Sequence, residues 1–597
     1  MTEVVAHFTV EISGTQWVLV PDEARFGRHF VPKSWREGLR NMMRVEVARV
    51  GNQIVRIDPL PENATPKPRT RQQAPSPGQR PARPSTPAHT AAPAQARQGA
   101  ARSPAQNARP QRRAQPAGGG GPASGYFVNP YNFVPFSTEL RKRDGLADGP
   151  PIGHDRWHEG RYIARLCVEF TTVTPLLTME ITGKDQSKPA VYSVRRDPDG
   201  NPIVSGASIK GMLRSAYEQA TGSRLGVFSH DEKLSVRNGR SRTTFDTAPA
   251  GLLPIVLKPA STAGDLSAAD RVFGWVAAKA NDTSGGVRGQ LRMGGVSVVT
   301  PSVVRPNAKG TTWELATLNS PKPSNARFYT RDANGAPLHG TPKANGYQAS
   351  HRLAGHKVYP HQEREADYWE LEHGGWESQG SADKKPHPVD KAGHYRNFLA
   401  APESAPDVSI AIRDWVEPGV TFQTTLYAEN LTEDELAALL WVITLGDGNE
   451  ALYHRLGMGK PLGFGSISAR IRWDQSSLLN HNSVRQRYED PDHTPEDIPT
   501  AEDSGTALVK RFVRAFREAA PATYLSIVAA ARGTSLPVHY PRLGTGPGEV
   551  EPQTETYQWF VENDKSAHKH ALPLLTPTPG VPVEDLPTVP RAPRRQC

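Results

Sequence analysis

The chain has 597 residues, of which 37% are hydrophobic and 7% aromatic, and it contains 52 glycines and 55 prolines. That length corresponds to several domains, and so many helix and strand breakers argue against one compact domain throughout. No apolar run approaches the roughly 20 residues of a membrane span, and the N-terminus lacks the pattern of a secretory signal, so we expect a soluble, cytoplasmic protein. Only two cysteines are present, Cys167 and Cys597, which excludes a disulfide framework and a cysteine zinc cluster.

The net charge of +10 is concentrated in one segment, residues 61–125. This segment holds ten lysines or arginines, a single acidic residue, thirteen prolines and no aromatic residue. Such a composition cannot bury enough apolar surface to offset the entropy of the chain, so it predicts a disordered, basic Pro/Ala/Arg-rich linker. Two roles stay open for it: a solvated tether, or an electrostatic arm that holds nucleic acid transiently.

The linker divides the chain into four predicted regions. Residues 1–60 contain four short strand-like runs, which favour a small β-barrel-like domain that loosely resembles an OB fold. The basic linker covers 61–125, and a globular domain with alternating strand and helix patterns covers 126–475. Residues 476–597 form a C-terminal extension with one amphipathic helix, at 506–520, and an irregular, proline-rich tail.

Within the globular region the elements follow one another in a clear order. Alternating apolar residues predict a strand at 162–171, and the turn sequence at 197–201 predicts a hairpin between strands at 191–196 and 202–204. A helix follows at 205–220. Far downstream, Thr432 with Glu435 three residues later predicts a capped helix start, and the helix runs through 436–445. A glycine-rich loop at 456–465 and a strand at 466–473 close the region.

The glycine-rich loop is the sharpest feature of the sequence, with Gly457, Gly459, Gly463 and Gly465 in nine residues and Lys460 among them. Glycines at this density let a backbone adopt positive φ and present its N–H groups to a ligand. The loop follows a helix and opens a strand, whereas dinucleotide-binding and phosphate-binding loops follow a strand and open a helix. On the residues alone, a structural hinge and a phosphate contact both stay open.

The helix at 205–220 carries a second motif, with Ser208, Lys210 and Arg214 close to its N-terminus. Lys210 and Arg214 are four residues apart and therefore share one helix face. Cations there can hold the backbone of a polyanion, or they can simply form a solvated basic face.

Together, and in this order, the two motifs resemble those of the CRISPR-associated RAMP superfamily. Segments at 270–274, 288–292, 353–359 and 414–419 also look like that family. The resemblance covers about residues 126–473. It implies an α+β fold with a ferredoxin-like, RRM-related core enlarged by insertions, and membership of the backbone subunits that lie along the guide RNA in type III-like effector complexes. It also implies that the residues of both motifs bind RNA: Ser208, Lys210, Arg214, Gly457, Gly459, Lys460, Gly463 and Gly465. Phe464 and Tyr359 are candidates for stacking on bases.

Two residues are candidates for RNA cleavage. In the RAMP family an aspartate before the first helix cuts target RNA, and the nearest acid here is Asp185, about seven residues earlier than the family position. His356 offers a metal-free alternative, because a histidine can act as general acid or base. No motif of a zinc site, nucleophilic triad or nucleotide-binding loop is present. We expect no cofactor, with magnesium required only if the protein is a nuclease.

The sequence therefore predicts a guide-RNA (crRNA)-binding subunit of a CRISPR RNA-guided antiviral defence complex. Its predicted partners are guide RNA, target RNA and other CRISPR effector subunits, with no membrane. Three alternatives stay open: a metal-dependent nuclease that cleaves target RNA through Asp185, a nuclease that processes guide RNA through His356, and a scaffold that binds no RNA. Because Asp185 is offset from the family position, we favour a subunit that does not cleave RNA.

Overall fold

The computed structural model describes five stretches near the N-terminus, at residues 3–13, 16–21, 29–30, 44–50 and 53–59. From residue 126 onwards it describes residues 126–183, 190–226, 228, 231–238, 241–277, 285–300, 304–306, 312–318, 321–369, 396–399, 410–446, 450–490, 500–536, 538–541, 543–544, 556–565, 569–575, 586–587 and 589–590. The predicted disorder of 61–125 concerns residues outside these ranges. No helix in the described ranges is long and apolar enough to cross a membrane.

Contacts within the chain define two compact units, Met1–Ala114 and Gln115–Cys597. The described strands of the first unit are β1 (Glu3–Ser13), β2 (Gln16–Pro21), β3 (His29–Phe30), β4 (Arg44–Val50) and β5 (Gln53–Pro59). They form one antiparallel sheet in the order β3-β2-β1-β4-β5. The strand-rich prediction is confirmed there, whereas closure of the sheet into a barrel stays a prediction.

The second unit contains eight described helices and many short strands. The helices are α1 (Gly206–Thr221), α2 (Ala268–Phe273), α3 (Ala366–Trp369), α4 (Glu433–Thr444), α5 (His481–Glu489), α6 (Ala501–Ala519), α7 (Pro521–Arg532) and α8 (Thr556–Lys565). The strands are β6 (Tyr126–Phe127), β7 (Asn132–Val134), β8 (Tyr162–Thr172), β9 (Met179–Gly183), β10 (Ala190–Val194), β11 (Ser235–Asn238), β12 (Ser241–Thr244), β13 (Trp275–Val276), β14 (Gly286–Val287), β15 (Leu291–Met293), β16 (Ser297–Val298), β17 (Val304–Pro306), β18 (Trp313–Leu315), β19 (Thr330–Arg331), β20 (Arg352–Leu353), β21 (His356–Val358), β22 (Ile410–Ile412), β23 (Asp414–Val416), β24 (Thr421–Leu431), β25 (His454–Arg455), β26 (Ser466–Ile471), β27 (Ser477–Asn480), β28 (Leu543–Gly544), β29 (Leu586–Pro587) and β30 (Val589–Pro590).

The largest sheet of this unit has β8 at its centre. Its strand order is β15-β24-β8-β26-β25, with β16 paired to β24 and β27 paired to β8. The pairs of β8 with β24 and with β26 are antiparallel. Helix α1 lies between β8 and β15 in the chain, and α4 lies between β24 and β26. Both helices therefore connect strands on the same sheet, and both pack on one of its faces.

Alternation along β8 explains why the helices pack on that face. Ala164, Leu166, Val168 and Phe170 are buried in the main hydrophobic core, at every second position of the strand. Buried residues from α1, α4, α6 and α7 belong to the same core. The predicted C-terminal extension thus contributes α6 and α7 to the core, and β27 to the edge of the sheet.

A separate aromatic cluster lies beneath the glycine-rich loop. We define it by its buried rings: Trp313, Tyr368, Trp369, Phe398, Trp415 and Phe464. The centroids of Trp313 and Trp415 are 4.4 Å apart in a stacked arrangement, and Trp369 and Phe464 are 5.0 Å apart. Aromatic pairs at such separations add roughly 0.5–1.5 kcal/mol beyond area burial. The cluster gives the loop a rigid base.

Several predictions from the sequence are confirmed at this level. The strand at 162–171, the turn at 197–201, the helix at 205–220 and the strand at 466–473 correspond to β8, a hydrogen-bonded turn, α1 and β26. The amphipathic helix begins at Ala501, five residues earlier than predicted, because Thr500 caps it through the amide of Asp503. The α+β class holds for the chain.

Glu435 at the start of α4 links this helix to α2 through one buried carboxylate. It accepts a hydrogen bond from the amide of Thr432 at 3.0 Å, and the Thr432 hydroxyl accepts one from the Glu435 amide at 3.0 Å, which completes the predicted capping box. Arg271 of α2 donates to the same carboxylate at 2.7 and 2.9 Å. Because Glu435 is fully buried and Arg271 is nearly so, each charge depends on the other.

We therefore expect Glu435→Gln to lower the free energy of unfolding by about 3–5 kcal/mol, because it leaves the Arg271 guanidinium buried without a counter-charge. Glu489→Gln is the control, since Glu489 pairs with Arg485 on an exposed helix face and should contribute less than about 1 kcal/mol. Chemical denaturation followed by tryptophan fluorescence measures both variants. Equal losses in the two would contradict the assignment.

Candidate nucleic-acid interface

A cleft with a cavity volume of about 640 Å³ lies where four elements of the second unit meet. One wall is the solvent-facing side of α1, and the opposite wall is the glycine-rich loop with the preceding β25. The segment at 357–359 and helix α7 close the remaining sides. The two sequence motifs, which are about 250 residues apart in the chain, therefore border one cavity.

Helix α1 enters the cleft because its two faces differ. Ile209, Leu213 and Tyr217 are buried in the core, at the i, i+4, i+8 spacing of an apolar stripe. Ser208 and Gly211 lie on the other side of the helix and line the cleft, where both are exposed. Of the helix residues predicted to bind RNA, Ser208 is thus placed at the cavity.

The structure does not bring Lys210 into the cleft with the glycine-rich loop. Its ammonium donates a hydrogen bond to the carbonyl oxygen of Leu291 at 2.8 Å, at the start of β15. Burial, and to a lesser degree the charge of Arg214, lowers the pKa of Lys210. Lys210 instead lines a second hollow on the other side of α1.

Arg214 is held inside the protein. Its guanidinium donates to three acceptors, the Asp270 carboxylate at 2.7 Å, the Glu218 carboxylate at 2.8 Å and the Gly274 carbonyl oxygen at 2.6 Å. Asp270 is almost completely buried, so withdrawing Arg214 toward a phosphate would leave a buried carboxylate unpaired. The structure therefore does not place Lys210 and Arg214 in the cleft with the loop, and Arg214 joins α1 to α2. RNA binding by these two residues stays a prediction.

The glycines of the loop are required by the protein itself. All four have positive φ, and Gly457 and Gly465 illustrate the constraint at 78° and 77°. A Cβ on Gly457 would lie 2.7 Å from the Leu177 carbonyl oxygen, and one on Gly465 would overlap the Leu456 carbonyl oxygen. The hinge interpretation, which the sequence left open, thus accounts for the glycines, because side chains would collide with the loop's own support.

Hydrogen bonds attach the loop to the segment that follows β8. The Thr174 hydroxyl donates to the Gly463 carbonyl oxygen at 2.9 Å. The amides of Gly465 and Met458 donate to the carbonyl oxygens of Pro175 and Leu177 at 2.8 and 3.1 Å. The position of the loop is therefore fixed relative to the central strand of the sheet.

Arg455, immediately before the loop, is a positioning residue that the sequence analysis missed. Its guanidinium donates to the carbonyl oxygens of Lys460 at 2.7 Å and Gly463 at 3.4 Å, and to the Ser466 hydroxyl. Burial lowers the pKa of Arg455 to about 9. A basic residue directly before a glycine-rich loop was the available signal, but it does not reveal whether the side chain turns toward the loop's carbonyls or toward solvent.

The loop still offers hydrogen-bond donors to a ligand. Among the described residues, the amides of Gly457 and Lys460 have no acceptor, and both residues line the cleft. Unpaired backbone amides in a turn can bind an anion when they face a cavity. The loop can therefore serve both as a hinge and as a donor surface.

The charges around the cleft are unbalanced. Four cationic residues line it, Arg195, Lys357, Arg455 and Lys460, and none of its described lining residues is acidic. The Lys357 ammonium lies 4.1 Å from the centroid of the Tyr131 ring and 5.3 Å from that of Tyr359. Burial lowers the pKa of Lys357, and burial together with the charge of Arg455 lowers that of Lys460. Within the described part of the chain neither ammonium has a carboxylate partner, so an anion in the cleft would relieve an electrostatic cost.

His356 has an environment that disfavours general acid–base catalysis. Its ring packs edge-on against Phe136 with centroids 4.8 Å apart, and it is absent from the cleft lining, although Lys357 beside it is present. Burial lowers the pKa of His356 to about 3. An imidazole that is neutral at pH 7 is a poor general acid, because its remaining N–H is very weakly acidic, and an imidazole with that pKa is a weak base.

Three further residues were predicted to contact or cleave RNA, and their outcomes differ. Phe464 is completely buried in the aromatic cluster, so the expectation that it stacks on a base is wrong. Tyr359 does line the cleft. Asp185 lies outside the described residues. Over the described ranges, no group of three or more His, Cys, Asp or Glu side chains is arranged to hold a metal ion.

The family model of the RAMP superfamily matches residues 169–468, which is half of the chain. The chain belongs to the RAMP superfamily. The matched range includes α1, the glycine-rich loop and most of the central sheet, and it ends before α5.

The chain also matches solved structures. One of 108 matching chains comes from a structure titled "Type IV-B CRISPR Complex", with 18% identity and a TM-score of 0.21. That match covers 51% of this chain and 90% of the other. No curated protein matches.

The RAMP glycine-rich loop gives a direct test of the packing argument. Gly465→Ala should lower the free energy of unfolding by at least about 1–2 kcal/mol, the cost of a left-handed conformation for an L-residue, with the overlap at Leu456 added. Gly211→Ala is the matched control, because a Cβ there meets nothing within 4 Å and alanine raises helix propensity by about 1 kcal/mol. Denaturation curves of both variants should therefore shift in opposite directions. A stabilising Gly465→Ala would refute the steric requirement.

Proposed function

We propose that this protein is a guide-RNA-binding subunit of a CRISPR RNA-guided complex. One observation carries the proposal: the serine–lysine–glycine helix and the glycine-rich loop, the two motifs of the RAMP resemblance, border one cleft with four cationic residues and no acidic residue in its described lining. A single strand of RNA supplies the negative charge that the cleft lacks. Family membership supports the same assignment.

The cleft also has surfaces suited to bases. Tyr359 and Met458 line it together with aliphatic side chains such as Ile203, and Met458 is partly exposed despite its apolar side chain. Single-stranded RNA is commonly bound by stacking of unpaired bases on such side chains while cations hold the backbone. Lys357 and Lys460 would contact phosphates, and the free amides of Gly457 and Lys460 would donate to phosphate oxygens.

The strand order of the main sheet supports the ferredoxin-like interpretation. In β15-β24-β8-β26 the first and last strands of the core, β8 and β26, are neighbours, and each helix crosses over one strand. RRM-related proteins that bind RNA are built on this plan. The type III assignment remains a prediction, and the matched structure carries a type IV-B title.

The charge-reversal variant Lys357→Glu with Lys460→Glu should bind single-stranded RNA more weakly and with less salt dependence. Loss of two phosphate contacts lowers the slope of log affinity against log salt by about 1.4. The control is Lys142→Glu with Lys510→Glu, which makes the same charge change on exposed helix positions outside the cleft. Fluorescence anisotropy with a labelled RNA at several salt concentrations measures both, and circular dichroism verifies folding.

A second variant tests whether RNA occupies the cleft, without changing the charge of the cleft. Gly211→Leu places a side chain in the cavity without meeting protein atoms near its Cβ, so the fold should persist while RNA affinity falls. Wild-type affinity in both the charge variant and the steric variant would refute the proposed cleft. Absence of RNA binding by the wild type would favour the scaffold alternative.

Cleavage is the second function to test, and we expect none from this subunit. His356 is neutral and outside the cleft lining, and Asp185 is displaced from the family position. A complex assembled with the wild-type chain, matched target RNA and magnesium should show the same RNA fragments as complexes with Asp185→Ala or His356→Ala. Regular cuts that vanish in one of these variants, with RNA binding retained, would identify that residue as catalytic.

A further inference from the structure

A second hollow lies on the opposite side of the first turn of α1 from the cleft. Its volume is about 320 Å³. It is lined by Gly206, Ala207 and Lys210 of α1, and by the chain around β15, including Arg288 and Arg292. Arg288 and Arg292 are both exposed, so neither side chain is needed for packing in the main core.

The hollow has the charge imbalance of the cleft. Its lining includes three cations, Lys210, Arg288 and Arg292, and none of its described lining residues is acidic. Lys210 uses one of its three N–H donors on the Leu291 carbonyl oxygen, which leaves two. The Arg288 guanidinium has no hydrogen bond or ion pair within the described ranges. Three cations without a counter-ion favour an anionic ligand.

Arg292 of the hollow is positioned where its guanidinium can stack on a flat ligand. The Arg292 guanidinium lies 4.2 Å from the centroid of the Tyr427 ring, which it meets across the β15–β24 pair. Contact with the tyrosine ring limits the movement of the guanidinium, and Arg292 as a whole is exposed. Unpaired bases of single-stranded RNA stack on arginine planes held in this way. An acidic protein segment has charge but no such flat groups.

The hollow and the cleft are neighbours. Ser205 and Ser208 line the cleft, whereas the two residues between them, Gly206 and Ala207, line the hollow. Only the first turn of α1 therefore separates the two cavities. A helix with its side chains is about 10–12 Å across, and a stacked strand advances about 3.4 Å per nucleotide, so about three nucleotides span the distance.

We propose that the hollow binds the RNA strand that occupies the cleft, about three nucleotides further along, so that the strand crosses the first turn of α1. Arg288 and Lys210 contact its phosphates, and Arg292 on Tyr427 stacks with a base. The inference rests on the proposed function and extends it, because it assigns a second RNA contact and the path of the strand across α1.

The test compares RNAs of different length. The full-length variant Arg288→Ala with Arg292→Ala is titrated with labelled oligouridylates of about 4, 8 and 16 nucleotides at several salt concentrations. The control is Lys510→Ala with Arg514→Ala, which removes two charges from the exposed side of α6. We expect the hollow variant to bind the longest RNA about tenfold more weakly, because it loses one phosphate contact at Arg288 and one stacking contact at Arg292. Its salt slope should be lower by about 0.7, the value for one lost phosphate contact on a single strand. The shortest RNA, which fits in the cleft alone, should bind like wild type.

Each other result overturns the inference in a recognisable way. Unchanged affinity for every length means that the strand does not reach the hollow. Equal losses for short and long RNA mean that the hollow is not a separate, more distant contact. A loss of binding to labelled polyglutamate with RNA binding intact assigns the hollow to an acidic protein. The cleft variants at Lys357 and Lys460 test the proposed function independently, so wild-type RNA binding by them with a loss in the hollow variant refutes the cleft and leaves the hollow.

Discussion

The hydrogen bonds between the glycine-rich loop and the segment after β8 are the constraint on which the cleft depends. Through Thr174, Pro175 and Leu177 they fix one wall of the cavity to the central strand of the sheet. The other wall, α1, is fixed to the same sheet by its buried apolar stripe. Both walls are therefore anchored to the same sheet. The distance between them does not depend on the long insertions that separate the two motifs in the chain. This close attachment requires glycine at positions 457 and 465, because a side chain at Gly457 or Gly465 would collide with a neighbouring carbonyl oxygen.

Two arginines elsewhere in the second unit are paired with carboxylates. Arg271 is paired with Glu435, and Arg214 with Asp270 and Glu218, each at hydrogen-bond distance. Removing one partner from such a pair is expensive, which makes these networks structural. In contrast, Lys357 and Lys460 are partly buried and have no acid beside them in the described ranges. The Lys357 ammonium lies over the Tyr131 ring. The described lining of the cleft thus leaves two lysines without a counter-charge, which is the arrangement that the proposed RNA ligand would complement.

The sequence predicted local structure well and tertiary roles less well. The capping box of Thr432 and Glu435, the extent of α1 and the alternating strand β8 depend on neighbours within a few residues, and all three were predicted. Arg214 was misjudged even though Glu218 stands four residues later, because its decisive partner, Asp270, is 56 residues away in the chain. Phe464 was misjudged because the rings that bury it come from distant segments.

The same limit applies to the candidate site. Neither Lys357 nor Arg455 belongs to a recognisable motif, and only the fold places them against the loop. The composition of the cleft nevertheless agrees with what a guide-binding subunit needs. Phosphate contacts by cations and backbone amides give affinity without reading the bases, and stacking on Tyr359 or Met458 accepts any base, because every base has a π-face. A protein that must hold guides of every sequence gains from such contacts, since base-specific hydrogen bonds would restrict the guides it could accept. If the cleft binds RNA as proposed, its lysines, backbone amides and Tyr359 are therefore suited to recognition of a strand's backbone and shape rather than of its sequence.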